Sequence, residues 1–153
     1  MGAWGSVTSR HTQAPNGMST MTTPDPTGQT DDPAAIRTVL EEWARAVREA
    51  DMDGVLAPHT DDVVMFDVPP GVARGLDAYR ATWDLFFAEQ GKGAFDLRDL
   101  EVATAGDVAF AHALVTCGPR EGEERFDVRL TVGLRKVDGV WRITHEHHSV
   151  PAE

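Results

Sequence analysis

Histidine changes charge near neutral pH and is the commonest metal ligand, so a stretch holding three of the chain's six histidines is where chemistry is sought first. That stretch, WRITHEHHSVP, runs from Trp141 to Pro151 and places His145, His147 and His148 beside Glu146. His145 and His147 are two apart and share one face of a strand. From there they can orient a carbonyl or phenolate, or move protons. An H-x-H pair with a third histidine, here His112, is also a zinc geometry that leaves one position for water. Our expectation is nonetheless a site without metal or cofactor. Asp67 is the acid of interest: it sits between Phe66 and Val68, two residues before Pro69. An acid there either caps a turn or works from a pocket as a general base. Trp43, Tyr79, Trp83, Phe87 and Phe110 are the aromatic residues available to hold an apolar substrate, although helical spacing also accounts for several of them as plain core.

The elements that must position these groups read as α+β. Asp32 suits an N-cap and Pro33 the first helical position. Ile36, Val39, Leu40, Trp43, Ala44 and Val47 then follow helical spacing to about Ala50. A short second helix is expected from Asp53, as its cap, through Leu56. Val63 to Val68 reads as a strand, and Leu76 to Gln90 as a third helix with Gly91 after it. Four strands follow, at about 94–104, 108–117, 125–137 and 140–150. Helices followed by a meandering antiparallel sheet define the class.

Asp138-Gly139 is a two-residue hairpin signal. With that turn, Val137 faces Val140, Leu134 faces Ile143, Val132 faces His145 and Leu130 faces His147. The apolar face turns to the helices. His145 and His147 are therefore expected to point inward, and Glu146 and His148 outward beside Arg129 and Thr131. On the strand before, Phe110, His112 and Leu114 alternate with Ala109, Ala111 and Ala113. The bulky set is expected to face the core, bringing His112 inside.

The 153 residues fit one domain, and a hydrophobic fraction of 41% is enough for a core. A formal charge of −11 argues against nucleic acid and anionic membrane as partners, since both are polyanions. The single cysteine, Cys117, cannot form an intrachain disulfide and reads as a buried small hydrophobe in a reducing cytoplasm. Residues 1–30 are rich in Ser, Thr, Pro and Gly without apolar periodicity, so they are expected to be a disordered tail before a domain at 31–153. No apolar run approaches the ~18 residues of a membrane span.

Two stretches, EWARAVREADMDGVLAPHTDDVVMFDVPPG (Glu42–Gly71) and VRLTVGLRKVDGVWRITHEHHSVP (Val128–Pro151), carry a family likeness. Over about residues 33–151 the chain resembles the SnoaL-like branch of the nuclear transport factor 2 superfamily, which includes ketosteroid isomerases. The resemblance implies a curved sheet wrapped round a long helix, a conical pocket between them, and a homodimer through the outer sheet face, where Arg129, Thr131, Glu146 and His148 are expected. It places Asp67 where the isomerases carry the aspartate that moves the substrate proton. Two positions depart from that pattern. Trp43 aligns with their oxyanion-hole tyrosine, and Val132 with their second, protonated acid. Losing one such donor costs about 10²–10³ in rate, which argues against steroid isomerisation as such. The resulting expectation is a small cofactor-independent enzyme doing proton-transfer chemistry (isomerisation, cyclisation, dehydration or hydrolysis) on a small apolar carbonyl compound. Asp67 is its base, and His112, His145 and His147 polarise or reprotonate. The ending His147-His148-Ser149 is also similar to that of iota-class carbonic anhydrases. A non-catalytic ligand-binding or assembly domain is the third reading.

Overall fold

Two aspartates start the helical part of the chain. In the computed structural model, which describes residues 31–68, 71–120 and 124–152, Asp31 caps helix α1 (Asp32–Glu49) by accepting from the Ala34 N–H. The cap thus falls one residue before the expected Asp32. Asp32 is occupied elsewhere, accepting from Lys136 Nζ and the Trp141 indole, both at 3.0 Å. The helix closes on Ala50, which takes a left-handed conformation with φ 53°. Asp51, not Asp53, caps the short helix α2 (Met52–Leu56) through the Gly54 N–H. In both helices the earlier of two nearby acids wins, because the carboxylate must reach back to an amide two or three residues on. The expected tail over residues 1–30 lies outside the described residues.

Strand β1 (His59–Phe66) follows, then β2 (Val72–Arg74), a short strand the sequence did not suggest, and α3 (Leu76–Gln90) as its apolar spacing predicts. The rest is β3 (Gly93–Ala105), β4 (Val108–Pro119), β5 (Phe126–Val137) and β6 (Val140–Ser149). They form one six-stranded sheet in the order β2-β1-β6-β5-β4-β3. All neighbours are antiparallel except β1 and β6, which run parallel. The helices cover one face. Ile36, Leu40, Trp43 and Val47 of α1 and Tyr79 and Trp83 of α3 pack there against Met65, Phe95, Val115, Leu130, Val132 and Ile143. Among the described residues, no helix is long and apolar enough to cross a membrane.

Two expectations about facing are reversed. On β4 the alanines face the core: Ala111 and Ala113 are buried, while Phe110 is 53% exposed and Leu114 37%. Ala111 pairs with Val132 and Ala113 with Leu130, both inward residues of β5. Residue size alone had suggested the opposite. The small side chains thus lie on the covered face, and the bulky set, His112 included, is left on the outer face.

The second reversal lies on β6. The turn forms as read, with Asp138 at φ 49° and Gly139 at φ 78°, the positive-φ pair of a type I′ hairpin. Val137 pairs with Val140 and Leu134 with Ile143. The next pair is Gly133 with His145, so Thr144 is an extra residue, a β-bulge. Beyond it Val132 pairs with Glu146 and Leu130 with His148, while Thr131 pairs with His147. One inserted residue exchanges the two faces. Glu146 and His148 therefore point inward, and His145 and His147 outward. Gly133 permits this: a Cβ built there would lie 3.3 Å from the His145 Cβ. A glycine inside an apolar strand is a recognised sign of a bulge, and it was the signal available in the sequence.

Candidate active site

Glu146 is wholly buried, and a buried carboxylate needs donors. Three side chains supply them. The Tyr79 hydroxyl donates to Oε1 at 2.7 Å, the His59 Nε2 meets the same oxygen, and His148 Nε2 meets Oε2 at 2.9 Å. The Trp43 indole N–H donates in turn to the Tyr79 oxygen at 3.2 Å. These groups come from α1, β1, α3 and β6, which only the packed fold brings together. Burial opposes ionisation of Glu146, but the hydrogen bonds and charges of His148 and His59 outweigh it and hold its pKa at about 2. Burial, reinforced by the Glu146 charge, pushes the Tyr79 phenol well above its ordinary range. Tyr79 therefore stays a neutral donor.

An ionised carboxylate only accepts, so His148 carries a proton on Nε2 and turns Nδ1 away from Glu146. Nδ1 lies 3.9 Å from Asp67 Oδ1. That is too long for a hydrogen bond and close enough to share a substrate atom. Burial alone would lower the His148 pKa. The hydrogen bond and charge of Glu146, then the charge of Asp67, outweigh it and raise it overall. Asp67 follows the last residue of β1; its Oδ1 also accepts from the Val68 N–H at 2.8 Å. Asp67 thus holds the adjacent backbone and also lines a pocket.

That pocket is a cavity of about 230 Å³ between α3 and the inner sheet face, lined by Asp67, His148, Trp83, Phe86, Phe95 and Cys117 among others. The Trp83 ring stands edge-on to His148 at 6.2 Å and to Phe95 at 5.9 Å. Burial pushes the Cys117 thiol up to about 12, with the charges of Asp127, Asp67 and Asp96 adding to it. It is a wall, not a nucleophile.

The expected site residues separate as follows. Asp67 and Trp83 line the cavity. Trp43 and Tyr79 lie behind it, buried, Tyr79 donating to Glu146 and Trp43 to Tyr79. Phe87 packs on Trp83 with ring centres 5.7 Å apart. Phe110 and His112 lie ring against ring on the outer face. His145 and His147 flank Phe66 on that same outer face, and His145 Nδ1 bonds the Val64 carbonyl. Glu146 and His148 were expected at an outer interface and instead form the site. Arg129 and Thr131 do lie outward, exposed. His59 was not singled out at all, because a lone histidine beside a proline carries no sequence signal. Among the described residues, no three His, Cys, Asp or Glu side chains are arranged to hold a metal.

A family model for the SnoaL-like domain matches residues 36–153. A nuclear transport factor 2-like protein of unknown function from Pseudomonas putida KT2440 is 39% identical, with a TM-score of 0.76 over 81% of this chain and 89% of that one. A ketosteroid isomerase-like protein from Erwinia carotovora atroseptica SCRI1043 is 22% identical, with a TM-score of 0.69 over 81% and 99%. A nuclear transport factor 2-like protein from Streptomyces avermitilis, provisionally assigned as a dehydratase, is 17% identical, with a TM-score of 0.72 over 80% and 98%. No curated protein matches the chain.

Proposed function

The chain belongs to the SnoaL-like family, and from that premise we propose that it is a cofactor-independent acid–base enzyme acting on a small apolar carbonyl compound. One observation carries the reading. Asp67 and His148 face each other at 3.9 Å on the wall of a largely apolar cavity, and His148 is held from behind by a buried, ionised Glu146. In this chemistry Asp67 removes a proton from the carbon next to the carbonyl, and that C–H bond pair becomes the new C=C bond of an enol. The imidazolium of His148 gives its Nδ1 proton to the carbonyl oxygen, so no free enolate forms. Return of the proton at another carbon completes an isomerisation. Where a β-hydroxyl is present, the enol returns its O–H proton to His148 Nδ1 and re-forms the carbonyl, the enol pair expels the hydroxyl, and the proton held by Asp67 is delivered to it, releasing water. The provisional dehydratase assignment of the Streptomyces relative agrees with that second outcome.

The test is turnover of small neutral enones and β-hydroxyketones in D₂O, read by NMR as solvent deuterium uptake, double-bond migration or water loss. Asp67→Asn and His148→Gln should each lower the rate by about 10²–10⁴. Undiminished turnover in Asp67→Asn ends the assignment.

The outer sheet face is the second part of the proposal. Val108, Phe110, Leu114 and Phe66 leave large apolar surface there, and Arg129 and Thr131 lie on the same side. A second copy of the chain covering this face accounts for it. Phe110→Glu should convert a dimer to a monomer in light scattering, and a wild-type protein monomeric at 100 μM contradicts the idea.

A further inference from the structure

The cavity shared by Asp67 and His148 also limits what can enter it. Trp83, Phe95 and Cys117 form its deep wall, all of them buried. A dry cavity of about 150 Å³ takes benzene. By proportion, the 230 Å³ here encloses roughly ten non-hydrogen atoms. A steroid nucleus is roughly twice that size and does not fit inside.

Charge narrows the class further. Asp67 and Glu89 bring two carboxylates to the lining, and among the described residues no lysine or arginine joins them. His148 already has its negative partner in Glu146, at 2.9 Å. An anionic ligand would enter an apolar cavity against like charges with no counter-ion. A third observation concerns Gln90, the last residue of α3. Its Oε1 is buried, has no hydrogen-bond partner among the described residues, and belongs to a residue of the same lining. A buried acceptor left unpaired is costly, and a ligand donor relieves that cost.

We propose that the ligand of this cavity is an uncharged, single-ring-sized carbonyl compound of roughly ten non-hydrogen atoms that bears a hydroxyl or N–H donor away from its carbonyl. The ring lies against Trp83 and Phe95. The carbonyl oxygen meets His148 Nδ1, and the remote donor meets Gln90 Oε1. Only the orientation of the carbonyl rests on the acid–base reading above. Size, neutrality and the Gln90 contact rest on the cavity itself.

Four probes of graded chemistry test it: 4′-hydroxyacetophenone, its isostere 4′-methylacetophenone, the anion 4-acetylbenzoate, and progesterone. Binding is read at equilibrium from the NMR shift of the Trp83 indole N–H at pH 7.5. The hydroxy compound should bind three- to tenfold tighter than the methyl one, as expected for one neutral hydrogen bond. The carboxylate should bind at least tenfold weaker than the hydroxy compound, and progesterone should not move the Trp83 signal. Gln90→Leu should abolish the preference for hydroxyl over methyl while still binding the methyl compound, which also shows that the variant is folded. Carboxylate binding equal to that of the hydroxy compound, an unchanged preference in Gln90→Leu, or no binding of any probe each overturns the proposal. Because these measurements need no turnover, they are separate from the Asp67→Asn assay. The predicted order of affinities with undiminished Asp67→Asn turnover would sink the acid–base reading and leave the ligand class standing. The reverse pair of results would do the opposite.

Discussion

Replacing Glu146 with glutamine keeps the shape of the side chain and removes its charge, so it asks how much the buried carboxylate contributes and over which pH range. In the folded protein Glu146 titrates at about 2, against an ordinary value of 4.5. A depressed carboxylate pKa adds stability that is complete above the unfolded value and is lost as pH falls through the folded one. The difference amounts to about 3 kcal/mol at neutral pH. Of that, about 2 kcal/mol should disappear between pH 5 and pH 3, because the unfolded chain is already protonated there while the folded site resists. Other carboxylates are depressed too, Asp32 by Trp141 and Lys136 and Asp127 by Thr116 and Arg98. The wild-type curve alone therefore does not isolate Glu146, and the difference between wild type and Glu146→Gln does.

The assay is urea unfolding at half-unit steps from pH 3 to pH 9 for both proteins. The gap between the two curves should be widest between pH 6 and 7 and close by about 2 kcal/mol on going to pH 3. The alkaline side has the opposite sign. The raised pKa of His148 adds stability that is present below about 6.5 and fades as pH rises through its folded value. That fading depends on Glu146 and should largely vanish in the variant. Curves that run parallel from pH 3 to pH 7 would refute the argument that His148 and His59 hold this carboxylate ionised.

Two further outcomes follow from the packing. Gly133→Val places branched carbons where a bare Cβ would already sit 3.3 Å from the His145 Cβ, so it should cost about 1–3 kcal/mol in urea unfolding; a neutral result would mean that the bulge does not depend on the glycine. Cys117, buried and titrating at about 12, should react with a thiol-specific disulfide reagent at pH 8 no faster than the protein unfolds, and rapid labelling of the native state would show that its wall of the cavity is open.

Sequence was a good guide to whatever is settled within a few residues. The apolar spacing of Ile36 to Val47 and of Leu76 to Phe87 specified two helices, and Asp138-Gly139 specified the hairpin that sets Leu134 opposite Ile143. The quoted stretches were enough for the family; Asp67 was picked from one of them and Trp83 from the apolar stripe of α3. Which face each residue of β4 and β6 presents was decided elsewhere. Alternation tells which residues share a face only while the ladder is unbroken, and Thr144 breaks it three residues before the paired histidines end. Alternation also does not say which of two apolar faces is buried. On β4 the tertiary fold buried the alanines and left phenylalanine outside. The site itself is a product of this long-range geometry. His59, Tyr79 and Trp43 have no motif in common, and they become the support of Glu146 and His148 only because one extra residue turned that pair toward them.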